Sequence, residues 1–304
     1  MAIYIGTSGW SYPSGPGTWN GTFYPKPRPR GFDELEYYAR FFTFTEVNST
    51  FYGQPKSEIT RRWAERTPSD FTFALKLYQQ FTHPRMFLDR VTTAVRKQLD
   101  DPDVPASALT ALAEANQADI DEFRRGLEPL AHAGKLGPLV AQFPPSFHDT
   151  PEGRAHLATL LRAFGECDVA VELRHRSWSD REPETRALLD AFGACWVWID
   201  EPKFKDSLRQ PDVVAEPFIY MRLHGRNAKA WWSGGRDERY AYDYSVEELT
   251  PVAARLKADA QRAYAALNNH PNARSVKNAL MLAEMVGEHP HERAEEVAAL
   301  VERL

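Results

Sequence analysis

The strongest constraint on the fold of this chain is an alternation of short β-rich runs with longer helical patterns from one end to the other. This rhythm is typical of βαβ units arranged around a parallel sheet. Eight strands close an α/β barrel, and the eight candidate strands begin at Ile3, Thr43, Phe71, Leu139, Val169, Cys195, Phe218 and Ala263. The sequence therefore predicts a (β/α)8 TIM-type barrel, with an open doubly wound sheet as the alternative.

Two additions to the eight units are expected within a single domain spanning residues 1–304, because barrels of this length routinely form one domain. The connection after the third strand is the longest, running from Tyr78 to about Lys135 with a break from Pro102 to Pro105. It would form either a lid or a surface excursion without a gating role. An extra C-terminal helix, roughly Glu292 to Leu304, follows a break at Pro290.

The composition excludes several classes of protein. Hydrophobic residues make up 43% and charged residues 26% of the chain, which is typical of a globular protein. The net charge of −5 and the pI near 6.0 give no overall attraction to nucleic acid or to an anionic membrane. Because no run of about 18 apolar residues occurs and no signal-peptide pattern follows Met1, we expect a cytoplasmic protein. Cys167 and Cys195 lack metal-type spacing.

Polar residues end seven of the eight predicted strands, within otherwise apolar runs. In a barrel the carboxyl ends of the strands form the floor of the active site, so these side chains are expected to converge. Buried charges are costly unless they are paired, so the set must form a neutralised network or await a ligand. Its members are Glu46, Asn48, Lys76, Gln142, Glu172, Arg174, Asp200, Arg222, His224 and Asn268.

Aromatic residues cluster in the segments that follow the same strand ends and would ring the polar floor. Flat aromatic faces suit sugar rings or nucleobases by stacking, although most aromatic side chains in proteins are core material. These residues are Trp10, Tyr12, Phe51, Tyr52, Trp178, Trp231, Trp232, Tyr240 and Tyr242.

Many of these residues fall within seven motifs, which are Gly6–Tyr12, Glu46–Tyr52, Lys76 followed by Thr82-His83, Gln142–Phe147, Val171–Trp178, Arg222–Gly225 and Asn268-Asn269. Together the motifs resemble the domain of unknown function 72 family, also called YecE-like, and they cover the chain from Met1 to about Met285. The resemblance implies a TIM-type barrel. It implies no reaction, because the family has no established activity. His83 and Asn269 join the candidate ligand-binding residues through it.

The first functional hypothesis is a hydrolase, lyase or isomerase acting on a small polar or anionic ligand, such as a sugar, a nucleotide or a phosphorylated compound. Glu172 and Glu46 would serve as acid and base, because carboxyl groups with unlike neighbours can have divergent pKa values. Lys76 and His224 are the other candidate catalytic residues: Lys76 would hold an anionic or oxyanionic group together with Arg222, and His224 would shuttle protons near neutral pH. The expected substrate-binding residues are Trp10, Tyr12, Asn48, Tyr52, His83, Gln142, Arg174, Trp178, Asp200, Arg222, Asn268 and Asn269.

Two alternatives stay open. In the first, Glu172, Asp200 and His224, with Glu46 as a further ligand, hold divalent manganese, zinc or iron. The cationic strand-end side chains would repel such an ion, so a protein without a cofactor is the first expectation and a divalent metal the alternative. In the second, the protein is a non-catalytic binder of a sugar, nucleotide or nucleic-acid fragment. Overall acidity disfavours nucleic acid, no membrane partner is expected, and the oligomeric state is left open.

Overall fold

A computed structural model of the chain describes residues 2–99, 103–210, 217–233, 235–258, 261–288 and 294–304. Its strands lie near the predicted positions, and all of their pairings are parallel. They are β1 Ala2–Ser8, β2 Phe44–Val47, β3 Thr72–Lys76, β4 Leu136–Gln142, β5 Val169–Glu172, β6 Cys195–Trp196, β7 Trp198–Asp200, β8 Ile219–Leu223 and β9 Arg262–Leu267.

The strands form one sheet that curves into a nearly closed barrel. The order of pairing is β6-β5-β4-β3-β2-β1-β9-β8-β7. Only Val197 separates the two ends of this order along the chain, so β6 and β7 are two halves of one interrupted strand. Gln210 contributes to the interruption, because its side chain accepts from the Ile199 N–H at 2.7 Å and donates to the Val197 carbonyl. The predicted (β/α)8 barrel is therefore confirmed.

One strand begins earlier than predicted. β4 starts at Leu136 instead of Leu139, across Gly137 and Pro138, which are unfavourable in strand interiors. A Cβ atom at residue 137 would lie 2.7 Å from the Thr72 Cγ2 atom, so the glycine permits a close approach of β3 and β4. The register between these strands shifts at the same place.

Helices surround the barrel, and several begin at side-chain caps. Ser245, for example, accepts from the Glu248 N–H at 3.3 Å, and the Glu248 side chain accepts in return from the Ser245 N–H at 3.0 Å. The helices are α1 Glu34–Tyr38, α2 Ser57–Glu65, α3 Gln79–Thr82, α4 Pro84–Leu99, α5 Ala106–Ala113, α6 Gln117–His132, α7 Pro151–Ala163, α8 Ser177–Asp180, α9 Glu182–Asp190, α10 Arg236–Arg239, α11 Val246–Leu256, α12 Arg274–Val286 and α13 Ala294–Arg303, with 3₁₀ turns at Ser49–Phe51 and Pro271–Ala273.

The long connection after β3 is largely helical. Its last helix, α6, buries Phe123, Leu127 and Leu130 and leads back to β4 as an ordinary crossover helix. The insertion proper is therefore α3, α4 and α5. Pro102, at the start of the predicted break, lies outside the described residues.

The predicted C-terminal helix is present as α13, which packs against α12. Pro290 and Glu292, where the break and the helix start were predicted, lie outside the described residues.

The alternation of side chains along the strands sets the floor of the site. Phe44, Tyr220 and Tyr264 pack inside the barrel with ring centroids 5.5 to 6.4 Å apart. Residues two positions further along a strand point to the same side. Glu46 and Arg222 therefore lie directly above this aromatic layer, toward the carboxyl ends of the strands.

Candidate functional site

Arg222 is the centre of the polar cluster. It lies on β8 and is 1% exposed. Its Nε and Nη2 atoms donate to the two carboxylate oxygens of Glu46 at 2.8 and 2.6 Å. Its Nη1 atom donates to Glu172 and, at 2.8 Å, to Gln142 Oε1. One guanidinium group therefore joins side chains from β2, β4 and β5 at the carboxyl end of the barrel.

Two residues that the sequence analysis did not single out complete the hydrogen bonding of Glu46. Ser8 Oγ donates to Oε1 and the Tyr220 hydroxyl donates to Oε2, each at 2.9 Å. Ser8 ends β1 and is aligned with Glu46 in the sheet, while Tyr220 lies two residues before Arg222. The signal that could have identified both is strand alternation, because each occupies the inward face of its strand.

Glu172 is held as an ion by two arginines. Arg174 Nε donates to its Oε1 atom at 2.6 Å, and Arg222 donates to its Oε2 atom. Burial alone would raise the pKa of this carboxyl group, but Arg174 and Arg222 hold the pKa well below its usual value. A carboxylate held between two guanidinium groups favours the ionised form, and the acid or base role of Glu172 stays a prediction.

His224 completes this side of the cluster. Its Nε2 atom lies 3.3 Å from Arg174 Nη2 and 3.7 Å from Glu172 Oε2, and its Nδ1 atom lies 3.0 Å from Asn268 Nδ2. Burial lowers the pKa of this imidazole in spite of the opposing charge of Glu172. The imidazole is therefore less basic than a solvent-exposed one, and its role as a proton shuttle stays a prediction.

Lys76 stands apart from these paired groups. It ends β3, is 8% exposed, and its Nζ atom lies 4.0 Å from the centroid of the Phe51 ring. Within the described parts of the chain, its amine has no carboxylate within ion-pair distance and no hydrogen-bond acceptor. Burial and the charges of Arg222 and Arg174 lower the pKa of this amine to about 7, against the opposing pull of the two glutamates.

His83 is a second ionisable residue in contact with the Phe51 ring. Its ring meets the Phe51 ring edge to face with centroids 4.9 Å apart, and its Nδ1 atom lies 2.9 Å from Thr82 Oγ1. Burial, followed by the nearby charge of Lys76, lowers the pKa of this imidazole to about 4. His83 is therefore a neutral imidazole close to the unpaired amine.

Asp200 does not join the cluster, so the prediction of three carboxylates sharing the strand-end cations is wrong. Its carboxylate accepts from Arg226, including a 2.6 Å bond from Nη2, and from the Tyr244 hydroxyl at 3.1 Å. Glu201, the next residue, comes closer to the cluster, with Oε2 4.0 Å from Arg174 Nη1. The loop after β8, which carries Arg226, determines this pairing.

The structure likewise does not bring together the residues proposed to bind a metal ion, which were Glu172, Asp200, His224 and Glu46. Glu46 and Glu172 face Arg222, and Asp200 faces Arg226. Among the residues for which the structure gives positions, no group of three or more His, Cys, Asp or Glu side chains is placed to hold a metal ion.

Four of the predicted substrate-binding residues share a cavity. Trp10, Tyr12, Asn48 and Tyr52 line a space of about 290 Å³ together with Ser8, the residue that hydrogen-bonds Glu46. This cavity therefore adjoins the β1 side of the cluster.

Two other predicted substrate-binding residues are structural. Trp178 is fully buried and its Nε1 atom donates to the Phe147 carbonyl at 2.9 Å, so its ring cannot stack on a ligand. Asn269 is also fully buried, and its amide donates to the Tyr242 carbonyl at 2.9 Å and to Asn278 Oδ1 at 2.7 Å. Both side chains are therefore held in the protein interior, and this geometry gives no support to their assignment to ligand binding.

A cleft of about 690 Å³ reaches Arg174 from outside. We call it the aromatic cleft, because Phe204 and Trp232, with ring centroids 5.4 Å apart, line it together with Trp231. Glu201, Phe204 and Lys205 were not predicted, since they lie in a loop without periodic pattern. A neighbouring cavity of about 650 Å³ contains His83 and shares lining residues Ser146 and His148 with the aromatic cleft.

Comparison with known proteins identifies the family. A family model described as Protein of unknown function DUF72 matches residues 4–300. The chain belongs to the DUF72 family. This DUF72 chain is 27% identical over 300 residues to UPF0759 protein YunF of Bacillus subtilis, covering 93% of this chain and 94% of that protein. It is 29% identical over 187 residues to UPF0759 protein YecE of Escherichia coli K12, covering 61% of this chain and 53% of that protein.

Solved structures of DUF72 proteins share the fold. A DUF72 family protein of Thermotoga maritima has 30% sequence identity and a TM-score of 0.73, covering 95% of this chain and 100% of that chain. One from Enterococcus faecalis has 22% identity and a TM-score of 0.73, covering 94% and 95%, and this likeness shows the fold alone. The resemblance predicted from the motifs is thus confirmed, and these names assign no reaction. No helix in the described part of this DUF72 protein is long and apolar enough to span a membrane.

Proposed function

We propose that this protein is an enzyme that binds a small anionic ligand at the carboxyl ends of the barrel strands and exchanges a proton with it through Lys76. The observation that carries the proposal is that the buried amine of Lys76 lacks an ion-pair or hydrogen-bond partner among the described residues, beside a cluster of paired glutamates and arginines. Perturbed, partner-poor ionisable groups of this kind concentrate at functional sites.

The balance of charges supports an anionic ligand. The carboxylates of Glu46 and Glu172 face the guanidinium groups of Arg222 and Arg174, and Glu201 lies 4.0 Å from Arg174. Among the described residues, a protonated Lys76 has no carboxylate within ion-pair distance. A carboxylate or phosphate oxygen of a ligand would supply the missing negative charge, and the attraction is strong where water is largely excluded.

Lys76 is also the group best suited to proton exchange. A general acid or base works best when its pKa lies near the working pH, and the pKa of Lys76 is about 7. Two arginines hold the pKa of Glu172 well below its usual value, and burial lowers the pKa of His224. The two glutamates hold the arginines in place by hydrogen bonds. We therefore assign the acid–base role to Lys76 instead of to the pair Glu46 and Glu172.

The aromatic cleft would receive the remainder of the ligand. Arg174 lines this cleft and also bonds Glu172, so it connects the cleft to the polar cluster. Flat rings such as those of sugars or nucleobases would stack on Trp232, which is largely exposed. The same surface supports non-catalytic binding as a second candidate. A simple binder does not need a titrating lysine, so Lys76 favours the enzyme.

Sulfate binding provides the first test, because the charge of sulfate is constant between pH 6 and 8.5. Calorimetric titration of the wild-type protein should show affinity falling about tenfold or more over this range, as Lys76 loses its proton. Among its neighbours, arginines stay charged, Glu172 stays ionised and the pKa of His83, about 4, lies below the range. The charged and titratable groups facing Lys76 are Glu46, Glu172, Arg174, Arg222 and His83.

Lys76→Met should lose both the binding and its pH dependence. Lys135→Met is the matched control, because Lys135 is another buried lysine whose amine donates to the carbonyls of Ala64 and Thr67 at 2.6 and 2.7 Å. That variant should bind sulfate like the wild-type protein. Sulfate affinity that is independent of pH, or that survives in Lys76→Met, would contradict the proposed function.

A further inference from the structure

Lys76 offers the ligand a covalent chemistry in addition to proton exchange. We propose that its amine forms an imine with a small aldehyde, ketone or keto acid that carries a carboxylate or phosphate group. This inference rests on the proposed function, since both place the anionic ligand at Lys76 Nζ.

The surroundings of the amine are those of a nucleophilic lysine. Lysine amines become nucleophiles when they are desolvated in an apolar pocket or lie next to other cations. Lys76 meets both conditions, because Nζ lies over the Phe51 ring and the charges of Arg222 and Arg174 act on it. Its position at the end of β3 holds the residue on a rigid strand, at the end of the barrel where TIM-barrel enzymes place their active sites.

Lys135 shows what a structural lysine looks like in the same protein. It is equally buried, but its Nζ atom donates to the Ala64 carbonyl, to the Thr67 carbonyl and, at 3.1 Å, to Thr67 Oγ1. Three acceptors hold its protons, so no lone pair is available for attack on a carbonyl. The contrast indicates that burial alone does not account for the unpaired state of Lys76.

The neutral, reactive form of Lys76 is abundant at neutral pH. With a pKa of about 7, about half of the amine is unprotonated at pH 7. An ordinary lysine, with a pKa near 10.4, is unprotonated there in only about four molecules in ten thousand. The fraction available for attack is therefore about a thousandfold larger at Lys76.

The reaction balances without an oxidant or reductant. The neutral Nζ atom attacks the carbonyl carbon and forms a C–N bond, while the π electron pair moves to oxygen. A proton passes from nitrogen to that oxygen, giving a carbinolamine. A second proton, taken from solvent, then lets the oxygen leave as water, and the nitrogen lone pair forms the C=N bond. The protonated imine keeps a positive charge at nitrogen, which the anionic group of the ligand compensates.

Neutral groups near the amine can relay these protons. His83 contacts the same Phe51 ring as Lys76 and stays unprotonated above pH 4 or so. An imidazole that is neutral at the working pH accepts and returns a proton without a lasting charge. We assign it the proton transfer between the carbinolamine nitrogen and oxygen.

Reductive trapping tests the imine directly. The full-length protein is incubated at pH 7 with pyruvate, as the carboxylate probe, or with dihydroxyacetone phosphate, as the phosphate probe, and then treated with sodium cyanoborohydride. Intact-protein and peptide mass spectrometry then locate the adduct. We expect one adduct per chain on Lys76, formed at least about tenfold faster than on Lys135 or on exposed lysines. The probe that reacts faster identifies which anionic group the site prefers.

The wild-type measurement locates the adduct whether or not a variant folds. Lys76→Arg, which keeps the charge but cannot form a stable imine, should bind sulfate at pH 6 and give no adduct at residue 76. Absence of trapping at Lys76 with both probes, or trapping only on exposed lysines, would overturn the imine. The sulfate titration tests the proposed function independently of the imine. If sulfate binding still depends on Lys76 while trapping fails, the imine is wrong and the proposed function stands, whereas failure of both rejects both.

Discussion

Replacing Lys76 with methionine should make the protein more stable, although it removes the proposed functional group. Methionine fills a similar volume and carries no charge, so it suits an apolar contact with Phe51. A lysine with a lowered pKa destabilises the folded state wherever the unfolded side chain is charged. Residues that are retained for function commonly lower the stability of the folded protein.

The size of the effect follows from the pKa of Lys76. On folding, the pKa falls from 10.5 to about 7, so the unfolded state binds more protons between these values. Stability therefore rises with pH across this window, and the full penalty applies below pH 7. It amounts to about 5 kcal/mol at pH 6 and about 2 kcal/mol at pH 9. The cation–π contact with Phe51 offsets about 1 kcal/mol while the amine is charged.

Calorimetric melting curves at the two pH values measure the difference. The unfolding entropy of a 304-residue chain is about 0.6 kcal/mol/K, so a net gain of about 4 kcal/mol at pH 6 corresponds to a rise in Tm of about 6 °C. At pH 9 the rise should be about 3 °C or less. Lys135→Met should change Tm in the opposite direction, because it removes three hydrogen bonds from a satisfied amine. A Lys76→Met protein that melts below the wild type at pH 6, or whose shift does not decrease with pH, would refute the reasoning.

Two further predictions concern the paired groups. Arg222→Met should lower the free energy of unfolding by about 4 kcal/mol at pH 7, because it leaves Glu46 buried without a cation. The half-exposed Arg262 serves as its control in urea unfolding, where Arg262→Met should cost less than about 1 kcal/mol, and equal losses would contradict this prediction. Glu172→Gln should make the free energy of unfolding depend less steeply on pH at acid pH. The lowered pKa of Glu172 contributes stability above about pH 4.3 that is lost as pH falls toward its folded value, and an unchanged pH dependence there would be inconsistent with this role.

Most of the fold was predictable because strand and helix periodicity is a local property. Seven of the eight strands begin within one residue of their predicted positions. The exceptions have non-local causes. β4 includes Gly137 and Pro138 because a close approach to β3 compensates for their poor strand propensity. The interruption at Val197 involves the side chain of Gln210, which comes from a later loop.

The sequence predicts which residues lie in the candidate site better than it predicts which of them form ion pairs with each other. Alternation along a strand determines which side chains point inward, and it places Glu46 and Arg222 on one face. It does not determine which cation reaches which carboxylate. Asp200 was assigned to the cluster from its strand position, whereas Arg226 reaches it from a loop. Trp178 was assigned to the ligand from its place after a strand, yet a backbone carbonyl holds it in the core.

A purely structural interpretation is that the polar cluster closes the top of the barrel. The paired members of the cluster fit that interpretation. Buried ion pairs add little net stability over apolar side chains of the same size, so such a closure would be served as well by a hydrophobic layer. Lys76 separates the two interpretations. Burial, together with the charges of Arg222 and Arg174, lowers the pKa of Lys76 into the neutral range. A purely structural cluster gains nothing from a buried lysine that has no ion-pair partner among the described residues and that destabilises the folded state. The function of this barrel is therefore best sought at Lys76 rather than at its carboxylates.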